Sequence, residues 1–171
     1  AMNARRQAAY RRALALQPDD AHLHRSLGLL LQHTQRDEAS ALLERSLALS
    51  PADGITALAL ASVLQRQSGF EYSPARRAAN LFERALRLMP SFPDAPSVYN
   101  NLGLALVSAD RPTEAAAAYS IALVLEPSNS AAHVNLAALH VTTGDAAAAV
   151  EAALAALQLR PQDPRLFLLL A

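Results

Sequence analysis

Proline returns along this chain at a nearly regular step. Pro18, Pro51, Pro90, Pro127 and Pro161 close segments of 33, 39, 37 and 34 residues. An α-helix does not continue through such a proline, because the ring clashes with the preceding turn and removes an amide donor. Within each segment the apolar residues keep helical spacing in two runs separated by a short turn. The clearest copy reads Asn100-Asn101-Leu102-Gly103-Leu104-Ala105-Leu106, then Glu114-Ala115, Tyr119, Ala122 and Pro127. A helical pair this short cannot bury its own apolar face. A chain built from such copies must therefore stack one pair on the next.

The same alternation of small and large residues returns around Leu136, Ala137, Gly144, Ala149, Ala156 and Pro161. Less regular copies surround Leu27-Gly28, Ala39, Leu43 and Pro51, and Leu60-Ala61, Ala78, Phe82, Ala85 and Pro90. These residues resemble the tetratricopeptide repeat, a helix-turn-helix unit of about 34 residues. The resemblance implies an all-α fold, a right-handed superhelical solenoid of antiparallel helix pairs. It implies about four complete repeats, with a partial helix at each end.

Taken in order, Ala1-Met2 reads as a cloning remnant, and 3–18 as the second helix of a partial repeat. Repeats then occupy 19–51, 52–90, 91–127 and 128–161, and 162–171 reads as a truncated first helix or a cap. On this reading both ends fall inside repeats, as in a segment excised from a longer array. Asp19 or Asp20 is expected to cap one helix and Asp53 another, since a carboxylate accepts from the open amides of a first turn. Two insertions interrupt the period. Gly69-Phe70-Glu71-Tyr72 lies inside a pair, with Ser73-Pro74 expected to start the following helix. Ser91 to Pro96 lies between pairs.

Composition narrows the function classes. Cysteine is absent, which excludes disulfides and thiolate metal sites and fits a reducing, intracellular and cytoplasmic setting. No apolar run approaches the roughly 18 to 20 residues of a bilayer span, so no membrane insertion is expected. The net charge is zero but unevenly spread. Twelve Arg and eight acids precede Ser91, whereas three Arg and seven acids follow Pro90, giving about +4 and −4. No basic stripe with interleaved aromatics suggests nucleic acid. The Arg5-Arg6, Arg11-Arg12 and Arg76-Arg77 pairs, with Arg84 and Arg87, fall on second helices as a solvated outer face.

The resemblance places first helices on an inner, concave wall. In phase with the repeat, that wall carries His22, Arg25, Ser26 and Leu30, then Ile55, Ala59, Ser62 and Arg66. It continues through Ser97, Asn100, Asn101 and Leu104 to Ala131, Asn135 and Ala138. Asn101 and Asn135 hold equivalent places in adjacent repeats and should sit side by side. An amide side chain offers both donor and acceptor, the complement of an extended peptide backbone. In this they are similar to the asparagine ladder of the O-linked N-acetylglucosamine transferase superhelix and to peroxisomal targeting-signal receptors. The alternative is that Asn-Leu-Gly is ordinary repeat consensus. Phe70 and Tyr72 are candidate loop contacts, or fold back over the helix ends.

The five His do not assemble a metal site by spacing. His22 and His24 face different ways, and His133 and His140 fall where interhelix packing residues are expected. Catalysis finds no phosphate loop and no nucleophile-base grouping, so no enzyme and no cofactor are expected. The leading expectation is a non-catalytic adaptor that binds an extended segment of a partner protein. Two others stand beside it: self-association into a homo-oligomer through the terminal helices, and a substrate-recruiting arm of a larger enzyme such as a glycosyltransferase.

Overall fold

A computed structural model describes residues 2–67 and 72–166, with the backbone alone at 72 and 73. Among the described residues there is no strand. The helices are α1 (Met2–Leu16), α2 (Ala21–Leu31), α3 (Arg36–Leu49), α4 (Gly54–Gln67), α5 (Tyr72–Leu88), α6 (Ala95–Ser108), α7 (Pro112–Leu125), α8 (Ser130–Thr143) and α9 (Ala146–Leu159). The tightest pairings are α2 with α3, α4 with α5, α6 with α7 and α8 with α9. These are the four helix-turn-helix pairs expected from the proline step.

The starts of the helices follow side-chain chemistry. Asp20 accepts from the Leu23 amide at 3.0 Å, and Asp53 accepts from those of Ile55 and Thr56 at 3.0 and 3.1 Å. Asn129 and Asp145 cap α8 and α9 in the same way. Helix α5 already begins at Tyr72, not at Pro74 as expected. Pro74 therefore lies within the first turn, where a missing amide leaves no helical bond unmade. Helix α1 begins at Met2, within the Ala1-Met2 stretch read as a cloning remnant. The loop expected around Phe70 lies outside the described residues, and so does the side chain of Tyr72.

In two of the pairs a glycine of the first helix is set against a large residue of its partner. Gly28 faces Leu43, and Gly103 faces Tyr119. Around them Ala39, Ala78, Ala85, Ala115, Ala122, Ala149 and Ala156 are all buried, and so are Phe82 and Tyr119. Small side chains at these places let helix axes approach closely. The α8–α9 pair differs, because Ala153 occupies the place of the aromatic. Its core is completed by Leu166, fully buried against Val134, Ala137, Ala152, Ala153 and Ala156.

The chain divides into two compact units, Ala1–Pro90 and Ser91–Ala171. In the first, α1 packs on α2 and α3 on α4; in the second, α7 packs on α8 and α6 touches α8. The division falls where the charge changes sign in the sequence.

Candidate functional site

In the second unit, the contact of α6 with α8 brings two asparagines together. Asn135 Nδ2 donates to Asn100 Oδ1 at 2.8 Å. The bond falls on Asn100, one residue before the repeat-equivalent Asn101. One helical residue is a rotation of about 100°, and it turns Asn100 toward the neighbouring first helix. Asn100 is buried, whereas Asn101 and Asn135 are half-buried. Asn101 is engaged in a contact of its own. The pair leaves the Asn135 Oδ1 acceptor without a partner among the described residues. Ser97, Ala131 and Ala138 are half-buried on the same two helices, and Leu104 is exposed. The result is a surface of small side chains with a fixed amide at its centre.

In the first unit the candidates are held differently. Arg25 Nη1 donates to Asp53 Oδ2 at 2.7 Å, and its Nη2 lies 3.0 Å from His22 Nδ1. This pair ties α2 to the cap of α4 and is largely withdrawn from solvent. Thr56 Oγ1 donates to the same carboxylate at 2.7 Å, and Ser46 Oγ lies 3.3 Å from Thr56 Oγ1 while donating to the Ala21 carbonyl at 2.8 Å. Burial alone would raise the Asp53 carboxyl. The Thr56 hydroxyl and amide, with the Arg25 guanidinium and its charge, outweigh burial and hold it below the usual carboxylate range. Arg25 would have to leave Asp53 before it could meet a ligand. Ser26 is half-buried, as is Ser62, whose Oγ donates to the Leu58 carbonyl one turn earlier. Arg66 is exposed near the end of α4.

Two histidines have a role the sequence reading missed. His24 Nε2 lies 2.8 Å from the Pro18 carbonyl, and His133 Nε2 lies 3.1 Å from that of Pro127. Each sits three residues before its repeat's leucine and fastens the proline turn that precedes its helix. The signal was present in the shared spacing of His24 to Leu27 and His133 to Leu136. The outer arginines also do more than meet solvent. Arg11 reaches Glu38 at 2.8 Å and Arg77 reaches Glu44 at 2.9 Å, linking α1 to α3 and α5 to α3. Exposed pairs of this kind contribute about 0 to 1 kcal/mol each.

Among the described residues, no three His, Asp or Glu gather as a metal would require. None of the described helices is long and apolar enough to cross a membrane.

A family model described as the tetratricopeptide repeat matches residues 6–54, 75–125 and 100–164. The chain is 30% identical over 135 residues to the BBSome complex member bbs-4 of Caenorhabditis elegans. That alignment covers 78% of this chain and 27% of that protein, so the chain spans about a quarter of its relative's length. Its fold is similar to MamA from Desulfovibrio magneticus, with a TM-score of 0.82, 19% identity, and 94% and 88% of the two chains covered. It is also similar to YrrB, whose structure is described as a TPR protein with an unusual peptide-binding site. There the TM-score is 0.76, the identity 19%, and the coverage 95% and 80%.

Proposed function

The chain belongs to the tetratricopeptide repeat family, a fold that serves as a protein–protein interaction scaffold, and from that premise we propose that it holds an extended peptide segment of a partner across α6 and α8. The observation that carries this reading is the Asn135–Asn100 hydrogen bond. It fixes one amide in orientation and leaves its carbonyl as an acceptor for a backbone N–H. The flanking small residues Ser97, Ala131 and Ala138 leave room for main chain to approach. Such contacts read a backbone and leave side-chain selection to neighbouring positions, Leu104 among them. The relative bbs-4 is a complex member, and YrrB is described with a peptide-binding site; both are compatible with this reading.

Self-association through the terminal helices has less behind it. Leu166, in the last described turn of the chain, is buried within its own unit. The peptide reading is tested by screening an array of extended peptides against the chain and its Asn135→Ala variant. Binders that lose about three- to tenfold in affinity, at a temperature where the variant is fully folded, are expected, since one neutral hydrogen bond is worth about 0.5 to 1.5 kcal/mol. Melting itself should fall, because the buried Asn100 Oδ1 loses its donor. Binders indifferent to Asn135 would overturn the reading.

A further inference from the structure

Where the α2–α3 turn meets the end of α4, the first unit has an open cleft of about 540 Å³. It is lined by His33, Thr34, Arg36, Asp37, Arg66 and Gln67. Four arginines of this unit, Arg11, Arg25, Arg45 and Arg77, each meet a carboxylate on another element. Arg36 and Arg66 do not: neither guanidinium has an ion-pair or hydrogen-bond partner among the described residues. The acid among the described lining residues, Asp37, already accepts from Gln67 Nε2 at 2.8 Å. The Thr34 hydroxyl faces the Leu31 carbonyl. Partial burial, and then the charge of Arg36, pull the Arg66 pKa below its ordinary value. Two like charges thus line one cleft, with no acid paired to either among the described residues.

We propose that this cleft is a binding site for a phosphate monoester, gripped jointly by Arg36 and Arg66. A guanidinium presents a planar fork of donors that matches two oxygens of an anion. A carboxylate has two oxygens and satisfies one fork. A phosphoryl group has three terminal oxygens and a charge of about −1.5 to −2, enough for both forks and both cations. His33, also on the lining, offers a further ring N–H donor. Asp37 partly opposes an anion, and its bond to Gln67 keeps it on the cleft wall. The site lies in the first unit and is independent of the α6–α8 surface.

The test is a titration of the ¹⁵N-labelled chain, followed at the Arg36 and Arg66 Nε–Hε signals. The probes are a serine-phosphorylated peptide, the same peptide with Glu or Ser in its place, and free O-phosphoserine. Saturable shifts with the phosphorylated peptide are expected. Each of Arg36→Gln and Arg66→Gln should weaken its binding at least about tenfold. Both substitutions are at exposed residues, and unchanged melting curves would confirm that the variants fold. Equal response to free O-phosphoserine would identify a small phosphate ester as sufficient. Stronger binding of the peptide would identify a phosphoprotein as the source. Equal binding of the Glu peptide, shifts that persist in both variants, or no saturable response would each overturn the proposal. Loss here with Asn135-dependent binding intact, or the reverse, separates this site from the peptide surface.

Discussion

At Gly103 the effect of a single methyl group can be read from geometry. A Cβ there would fall on the Tyr119 ring, 2.7 Å from both Cδ1 and Cζ, and Tyr119 is 1% exposed and has nowhere to turn. Gly103→Ala is expected to destabilise the chain by about 1 to 3 kcal/mol in chemical denaturation, as overpacking does. A variant as stable as the parent would show that the α6–α7 contact is looser than described. The small-against-large pattern was legible in the sequence because it recurs at fixed spacing. The bond from Asn135 to Asn100 was not. Repeat phase equates Asn135 with Asn101, and only the offset between neighbouring helices decides which asparagine is reached. Arg25 was similarly ambiguous, since nothing in its own helix announces Asp53. That pair makes a pH prediction. The folded Asp53 carboxyl titrates below its unfolded value of about 3.9. Its contribution is therefore complete above the unfolded value and is lost as pH falls from there through the lower folded one. Thermal melts from pH 6 to about pH 3 should fall more steeply for the parent than for Asp53→Asn. Parallel curves would remove Asp53 from the stability of the α2–α4 junction.

Turn chemistry decides how each element ends. Gly144 closes α8 in the left-handed region at φ 82°, the conformation glycine takes without a side-chain penalty. The corresponding turn after α6 places Asp110 at φ 54°, with its amide donating to the Val107 carbonyl at 3.1 Å. Asp110 is exposed, so replacing it frees backbone strain without opening a core. Asp110→Gly is expected to raise stability by about 0.5 to 1 kcal/mol, measured by denaturant midpoint; a loss would mean the Asp side chain itself holds the turn. Gly144 is legible in the sequence as a turn residue because glycine advertises its conformation. Asp110 carries no such mark. The α8–α9 pair makes a similar point about packing. Its run of alanines was legible, but the plug that fills it, Leu166, comes from beyond Pro161 and could be placed only by the fold.

Across the molecule, charge and structure divide at the same place. The unit through Pro90 holds the arginine excess, and the unit from Ser91 holds the acid excess. The Arg36–Arg66 cleft lies in the former, and the asparagine surface in the latter, so the two units present different chemistries to a partner. The proline period and apolar phase were enough to recover four helix pairs. The ligand chemistry of each face was not legible, because exposed polar residues carry no periodic signature. In the proposed complex, the Asn135 carbonyl, fixed by Asn100, receives a backbone N–H from the bound peptide. Calorimetry on a binding peptide, N-methylated at one bond at a time, against the parent chain and Asn135→Ala, measures that contact directly. One methylation site should weaken binding to the parent about three- to tenfold and have little effect on the variant. If every methylated bond costs the parent and the variant equally, the asparagine does not touch the peptide backbone.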